Sequence, residues 1–516
     1  MTPKKLPIGI QTFAKLRATD CYYVDKTHFA LKLIEEGSYY FLSRPRRFGK
    51  SLFIDTLAEL FAGNEPLFRG LFIQDRWDWT IRYPVIRLSF AEGVLHSRAA
   101  LDGRILDLLE ENEQRLGVAG EARSISGRFS RLIQRTHEQH GERVVVLVDE
   151  YDKPILDNLT RPEIAREMRD GLRDLYSVIK GQDANLKFAF LTGVSKFSKV
   201  SIFSGLNNLN DITVDAAYSA ICGYTDTDVD SVFAPELDGL DRDAIRRWYN
   251  GYNWTGEAVY NPFDLLLLFR KRLIHPWWFE TGTPTFLVDL LTQQGFFTPR
   301  LAHLRADQAL LSAFDVEHLT PEALLWQTGY LTFSTSRRIG ARTEYTLRYP
   351  NLEVESALND VLVKALIGNP GRASELASRL YDLLMAADFS GLRAHLESLF
   401  AAIPYQWQTN NPMTEYEGYY ASVFYSHFAA LGLDLTPEDS SHAGRLDLAL
   451  RFNGQIWLFE FKVVELEPEG KALQQIKDRG YADQYRAEGQ PIHLIGVEFS
   501  RERRTLVGFE VETVLP

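Results

Sequence analysis

The chain has 516 residues, of which 45% are apolar and 12% aromatic, enough to build more than one large core and too apolar for a disordered chain. Its net charge of −12, from 57 basic and 69 acidic residues, excludes a globally basic nucleic-acid coat but leaves room for a local basic groove. Its two cysteines, Cys21 and Cys222, exclude a disulfide framework and a cysteine-cluster zinc site. The start, LPIGIQTF after Lys4-Lys5, has no apolar signal core, and runs such as LLLLF at 265–269 are too short to cross a bilayer. A cytoplasmic protein with no membrane partner is therefore expected.

The first informative element is SYYFL at 38–42, an aromatic run suited to a strand. Leu52, Phe53, Leu57, Leu60 and Phe61 then recur at helical spacing. Gly49-Lys50-Ser51 thus falls between a strand and the first turn of a helix, the setting a phosphate loop requires. Free N–H groups and partial positive charge at a helix start attract phosphate. Lys50 would reach the outer phosphates of ATP, and the Ser51 hydroxyl would ligate magnesium. The usual pattern has a glycine five positions before Gly49, where this chain has Arg44.

Next, PVIRLSF at 84–90 suits a strand, and RVVVLVDEYD at 143–152 reads as a fully buried strand ending in acids. Acids at that end sit where open α/β sheets bind ligands. Asp149 would hold Mg2+ through water, and Glu150 would orient the attacking water. KFAFLTGVSKFS at 187–198 is a further strand. If it lies between the two motif strands, Thr192 or Ser195 at its end would sense the γ-phosphate; either also suits a turn cap.

Residues 230 to 290 are dense in Trp248, Tyr249, Tyr252, Trp254, Trp277 and Trp278. Such rings can stack on bases, but their number points to core between a lid and the ATPase body. LTPEALLWQTGYLTF from residue 319 reads as a helix started by Thr320-Pro321 and running through Gly329 into a strand. The basic-tipped hairpin that follows suggests a winged helix with Arg337, Arg338 and Arg342 on its wing, suited to nucleic-acid backbone or to protein docking.

At 445–463, RLDLALRFNGQIWLFEFKV folds about the two-residue turn Asn453-Gly454. The register pairs Phe452 with Gln455, Leu450 with Trp457 and Leu448 with Phe459 on one apolar face, together with Leu446 and Phe461. The other face pairs Ala449 with Leu458 and sets Asp447 opposite Glu460, with Lys462 beside it. Facing carboxylates repel unless a cation lies between them. Asp followed by Glu-X-Lys on the next strand resembles the PD-(D/E)XK core. Asp447 and Glu460 would hold magnesium, and Lys462 would position water and stabilise phosphate charge. A helix at 416–432 precedes the hairpin. A helix at 471–485, with Gln474 or Gln475 facing the site, and strands at 491–500 and 505–514 follow it.

YYVDKT (22–27), RPRRFGKSL (44–52), LVDEYDKP (147–154), LTGVSKFS (191–198), WYNGY (248–252), YNPF (260–263) and TGTPTFL (281–287) together resemble the AAA-ATPase-like proteins of prokaryotes. In that family the ATPase domain is coupled to a C-terminal PD-(D/E)XK nuclease-superfamily domain. The resemblance covers nearly the whole chain, and the family's loop also has arginine for glycine. Pro45 lacks an N–H, so Arg44, Arg46 and Arg47 would replace backbone contacts to phosphate, or pair with Asp149 or Asp152 when no nucleotide is bound. In related nucleases an acid on the helix before the hairpin joins the metal, which implicates Glu417. Glu438 lies further upstream than the family's strand acid and is not counted as a ligand.

The fold class expected is α/β: a P-loop ATPase domain with a parallel sheet (1–229), a helical lid and winged-helix-like region (230–375), and a mixed α/β restriction-endonuclease-like domain (376–516). The function expected is an ATP-driven switch on a Mg2+-dependent nuclease acting on DNA or RNA, suited to defence or mobile-element processing. The alternative is a regulatory scaffold whose nuclease-like domain binds nucleic acid or protein without cleaving. Nucleic acid is the expected partner, and a homo-oligomer is compatible with the sequence.

Overall fold

The computed structural model describes residues 3–119, 122–196, 208–279, 287–288, 291, 298–307, 311, 320–403, 417–441, 444–503 and 505–516, except the side chains at 417–419, 438–441 and 444–445. The chain forms two compact units, Met1–Trp278 with Arg305–Thr346 and Phe279–Leu304 with Leu347–Pro516. Of the segment read above as a middle region, residues 230–278 and 305–346 fall in the first unit and 347–375 in the second.

The first unit is built on a sheet of β1 (Tyr39–Ser43), β2 (Val85–Ser89), β3 (Val144–Asp149), β4 (Leu186–Gly193) and β5 (Asn210–Asp211). The order is β2-β3-β4-β1-β5, with every pair parallel. β4 therefore lies between the strand before the basic loop and the strand that ends in Asp149. All six residues of β3 are buried, as a strand covered on both faces requires. Helices Lys50–Phe61, Arg98–Leu116, Ile125–His140 and Pro162–Gly181 supply apolar faces to this unit.

Helices Asp226–Val232, Arg242–Tyr249 and Pro262–Lys271 pack around Tyr22, Phe233, Tyr249, Tyr260 and Leu265 in a second core of the same unit. The helix Pro321–Thr328 starts at a Thr320 cap and ends at Gly329, whose φ of 92° suits glycine. It leads into the hairpin of β7 (Thr332–Ile339) and β8 (Arg342–Arg348), to which β6 (Leu304–Asp307) adds a third strand in the order β6-β8-β7.

The second unit has a mixed sheet of β9 (Asp434–Ser441), β10 (Gly444–Phe452), β11 (Gln455–Val464), β12 (Ile492–Ser500) and β13 (Leu506–Val514), in the order β13-β12-β11-β10-β9. Asn453 and Gly454 have φ of 52° and 70°, the two positive values a tight hairpin turn demands. The expected pairs follow: Phe452 with Gln455, Leu450 with Trp457, Ala449 with Leu458 and Leu448 with Phe459. Leu448, Leu450, Trp457, Phe459 and Phe461 join the core formed with helices Phe389–Ala402 and Glu417–Ala429. Leu446, expected with them, packs instead in the opposite layer beside Ala449, Leu458 and Ile476. Strict alternation breaks at Asp447, whose side chain takes the Phe461 N–H that a continuing ladder would use. Among the described residues, no helix is long and apolar enough to cross a membrane.

Candidate functional site

In the first unit, the C-terminal ends of β1, β4 and β3 bring the basic loop, Thr192 and Asp149-Glu150 to one edge of the sheet. Gly49 has a φ of 93° and caps the helix that Lys50 and Ser51 begin; no atom lies within 4 Å of where its Cβ would be. The loop therefore meets the helix N-terminus with bare backbone. Lys50 is buried, and its Nζ donates to the carbonyls of Arg44 at 2.9 Å and Pro45 at 3.0 Å. Burial lowers its pKa, opposed by Asp149 and Glu150. These carbonyl contacts are ones a phosphate group would replace.

Arg44, expected at the phosphates, lies instead beneath the loop. Its guanidinium is fully buried and donates to the carbonyls of Ser43 at 2.8 Å, Thr213 at 2.9 Å and Tyr218 at 3.0 Å. It also stacks 4.0 Å over the Trp254 ring. Carbonyls have taken its forked donors, so it is a strut that fixes the loop's base. Arg46 and Arg47 remain exposed on the loop. Arg47 lies 3.8 Å over Phe263, in a backbone conformation with φ of 68°. Phe48, between them and the helix, is buried edge-on against Tyr252 and Trp254. Tyr249, Tyr252, Trp254 and Trp278 are buried too, so these rings serve as core.

Asp149 is buried at the end of β3, and its Oδ1 accepts the N–H of Glu150 at 3.0 Å. Glu150 has a φ of 50°, an uncommon backbone conformation for this residue type. Burial and then Asp149 push its carboxyl up, against Lys50 and Arg46. Asp152, read above as a partner for the arginines, is taken up by the N–H groups of Val194 and Ser195 and by the Ser195 hydroxyl. Gly193 leaves space for it, since a Cβ there would lie 2.3 Å from Asp152 Oδ1. Ser195 is thus anchored, whereas the buried Thr192 hydroxyl has no hydrogen-bond partner among the described residues.

The helix–hairpin segment touches the same loop within this unit. A Cβ on Gly329 would lie 2.6 Å from Pro45 Cγ. Trp278 Nε1 donates to the Arg46 carbonyl at 3.2 Å. Gln327 accepts the Lys196 N–H at 2.8 Å, just beyond β4.

In the second unit, Asp447, Glu460, Lys462 and Gln475 converge. Glu460 is 1% exposed, and its Oε2 is buried with no hydrogen-bond partner among the described residues. Its Oε1 lies 3.4 Å from Lys462 Nζ and accepts from Gln475 Nε2. Gln474, the other candidate, bonds Asp478 instead. Asp447 Oδ2 accepts the Phe461 N–H at 2.8 Å. Burial and the charge of Asp447 raise the Glu460 carboxyl to about 7, against the pull of Lys462. Paired carboxylates with one orphaned oxygen in a dry setting form a donor set for a hard divalent cation. Glu417 heads the helix Glu417–Ala429, and its side chain is outside the described residues. Glu438 requires correction. β9 pairs Asp439 with Leu446 and Pro437 with Leu448, so Glu438 occupies the register position across from Asp447. Most of TGTPTFL, and Phe197-Ser198 of LTGVSKFS, lie outside the described residues.

Comparison with known families matches residues 7–203 to one described as "Predicted AAA-ATPase" and residues 415–509 to the "PD-(D/E)XK nuclease superfamily". Among curated proteins, one from Azotobacter chroococcum mcd 1 described as "Uncharacterized protein in vnfD 5'region" is 66% identical over 515 residues, spanning 100% of both chains. A β4 strand inserted between the loop strand and the acidic strand, and an Asp447, Glu460 and Lys462 cluster on the second sheet, accord with both matches. The chain belongs to the AAA-ATPase-like proteins that carry a C-terminal PD-(D/E)XK nuclease-superfamily domain.

Proposed function

We propose that the protein is a cytoplasmic, ATP-hydrolysing switch that controls a Mg2+-dependent nuclease acting on DNA or RNA. The nucleotide-binding and nuclease-type architecture is established by the family; the activities are the proposal. The observation that carries it is the buried Oε2 of Glu460, beside Asp447 and Lys462, which has no hydrogen-bond partner among the described residues. A carboxylate oxygen left without a donor is costly, and a cation held between Glu460 and Asp447 would supply what this oxygen lacks.

Asp447 and Glu460 would hold the metal. When bound, magnesium stabilises charge on the phosphodiester and acidifies water. Lys462 would orient that water and meet the developing charge on phosphate. In the first unit, Lys50 would exchange the Arg44 and Pro45 carbonyls for phosphate oxygens, joined by Arg46 and Arg47. Ser51 and Asp149 would hold the nucleotide's magnesium, Glu150 would orient water, and Thr192 would donate its unused hydroxyl to the γ-phosphate. Such a pairing suits defence against foreign DNA or mobile-element processing.

Calorimetry with Mn2+ and ATP separates the parts. Asp447→Asn should lose Mn2+ binding and keep ATP, and Lys50→Ala should do the reverse. Glu150→Gln should keep ATP and lose hydrolysis. Wild-type protein that binds ATP and nucleic acid yet takes up no Mn2+ in the second unit would favour the scaffold reading instead.

A further inference from the structure

Gln475, which donates to Glu460, sits on the helix Lys471–Asp478. That helix is short, and its N-cap, Gly470, makes no side-chain cap bond. Free N–H groups at its start need a partner. A buried carboxylate from another strand supplies one. Glu498 on β12 is 2% exposed; its Oε2 accepts the N–H of Glu469 at 2.6 Å and of Gly470 at 3.1 Å, and its Oε1 that of Ala472 at 3.2 Å. Negative charge there also complements the helix dipole.

Two residues earlier on β12, Gly496 leaves bare backbone under the same helix. A Cβ at Gly496 would lie 2.3 Å from the Leu473 nitrogen. In register, Gly496 stands beside Glu460 and Glu498 beside Lys462 on β11. One β12 residue thus gives the helix room next to the acidic strand, and another ties its first turn down. Gly508 on β13 leaves room for the Glu498 side chain, since its Cβ would lie 3.1 Å from Glu498 Oε2.

We infer that Glu498 is a positioning residue of the nuclease site: it fixes the helix so that Gln475 holds Oε1 of Glu460 and leaves Oε2 for the cation. This rests on the metal-site reading proposed above. Partners that orient a metal ligand typically change affinity or activity by about 10–100-fold when removed.

The test is a double-mutant cycle on the full chain, read by Mn2+ calorimetry and by cleavage of a nucleic-acid substrate. Glu498→Ala and Gln475→Ala should each weaken Mn2+ binding and lower kcat by about 10–100-fold, with KM for nucleic acid and affinity for ATP unchanged. The double variant should be no worse than either single one. Glu498→Gln, which keeps one acceptor oxygen but turns the other into a donor, should recover part of the loss. If Glu498→Ala does not fold, Gly496→Ala lifts the same helix from the other side and should give the same pattern. Multiplying effects in the double variant, or an undiminished Glu498→Ala beside an active wild type, would overturn this inference alone. A wild type that neither binds Mn2+ nor cleaves would overturn the nuclease reading and this inference with it.

Discussion

Replacing Arg44 with methionine separates a structural strut from a phosphate ligand. Methionine keeps an apolar stem against Trp254 and removes the donors to Ser43, Thr213 and Tyr218. Three carbonyls then face a dry interior, at about 1–3 kcal/mol each. Relief of the buried charge offsets part of this. Burial pulls the Arg44 pKa down from its ordinary value to about 10, equivalent to roughly 3 kcal/mol at 1.36 kcal/mol per unit. The expected net loss is about 3 kcal/mol, which for a unit of this size is a fall in Tm of about 3–5 °C. Differential scanning calorimetry of the full chain reads it, beside ATP titrations. Arg46→Ala and Arg47→Ala, both on exposed loop residues, should leave Tm within about 1 °C and weaken ATP by about 10–100-fold while sparing adenosine. An Arg44→Met protein with unchanged Tm and a selective loss of ATP over adenosine would refute the strut and return Arg44 to the phosphates.

Thr192→Val removes a buried hydroxyl that has no partner, so nucleotide-free protein should gain up to about 1 kcal/mol while ATP hydrolysis falls; a denaturant titration and a phosphate-release assay read the two, and a stability loss would show a hidden partner. Gly329→Ala places a side chain against Pro45 at a φ of 92°, and ATP affinity by calorimetry should fall about tenfold or more; unchanged affinity would show that the helix–hairpin segment does not support the loop. His395 and His427 are buried with their Nε2 atoms 2.9 Å apart, and burial holds them at about 4 and about 3. Their unfolded forms protonate near pH 6.5, so their contribution to stability is present above that value and lost as pH falls toward 4. A wild type whose Tm falls over that window more than that of a His395→Phe, His427→Leu variant is the expected result, and equal slopes would contradict it.

The hairpin was legible because Asn453-Gly454 requires two positive φ angles, and period-two alternation then fixes every partner from Leu448 to Phe459. The β3 strand was legible because five consecutive apolar residues, four of them valine, ending in Asp149 favour a strand buried on both faces. Side-chain direction was harder to read. Nothing in RPRRFGKS tells that Arg44 turns inward to carbonyls while Arg46 and Arg47 stay outside; that follows from Thr213, Tyr218 and Trp254, all distant in sequence. β9 escaped notice because LTPEDSS joins a proline to acids and serines, poor strand formers that an edge position tolerates. With β9 unseen, the place of Glu438 beside Asp447 was unseen too. Asp447 defeated the alternation because its carboxylate replaces a ladder bond, which sends Leu446 to the other layer. Glu498 gave no signal beyond an acid within an apolar strand, and a fully buried acid needs a partner that the local sequence does not name.

The most direct measurement is cleavage of plasmid DNA, single-stranded DNA and RNA by the purified full chain in Mg2+ or Mn2+, with and without ATP, beside the Asp447→Asn protein. We expect the wild type to cut at least one of these substrates, to stop when EDTA removes the metal, and to outpace Asp447→Asn by about a hundredfold or more. Equal cleavage by the two proteins, or none by a folded, Mn2+-supplied wild type on any substrate with or without ATP, would contradict a metal-dependent nuclease built on Asp447, Glu460 and Lys462.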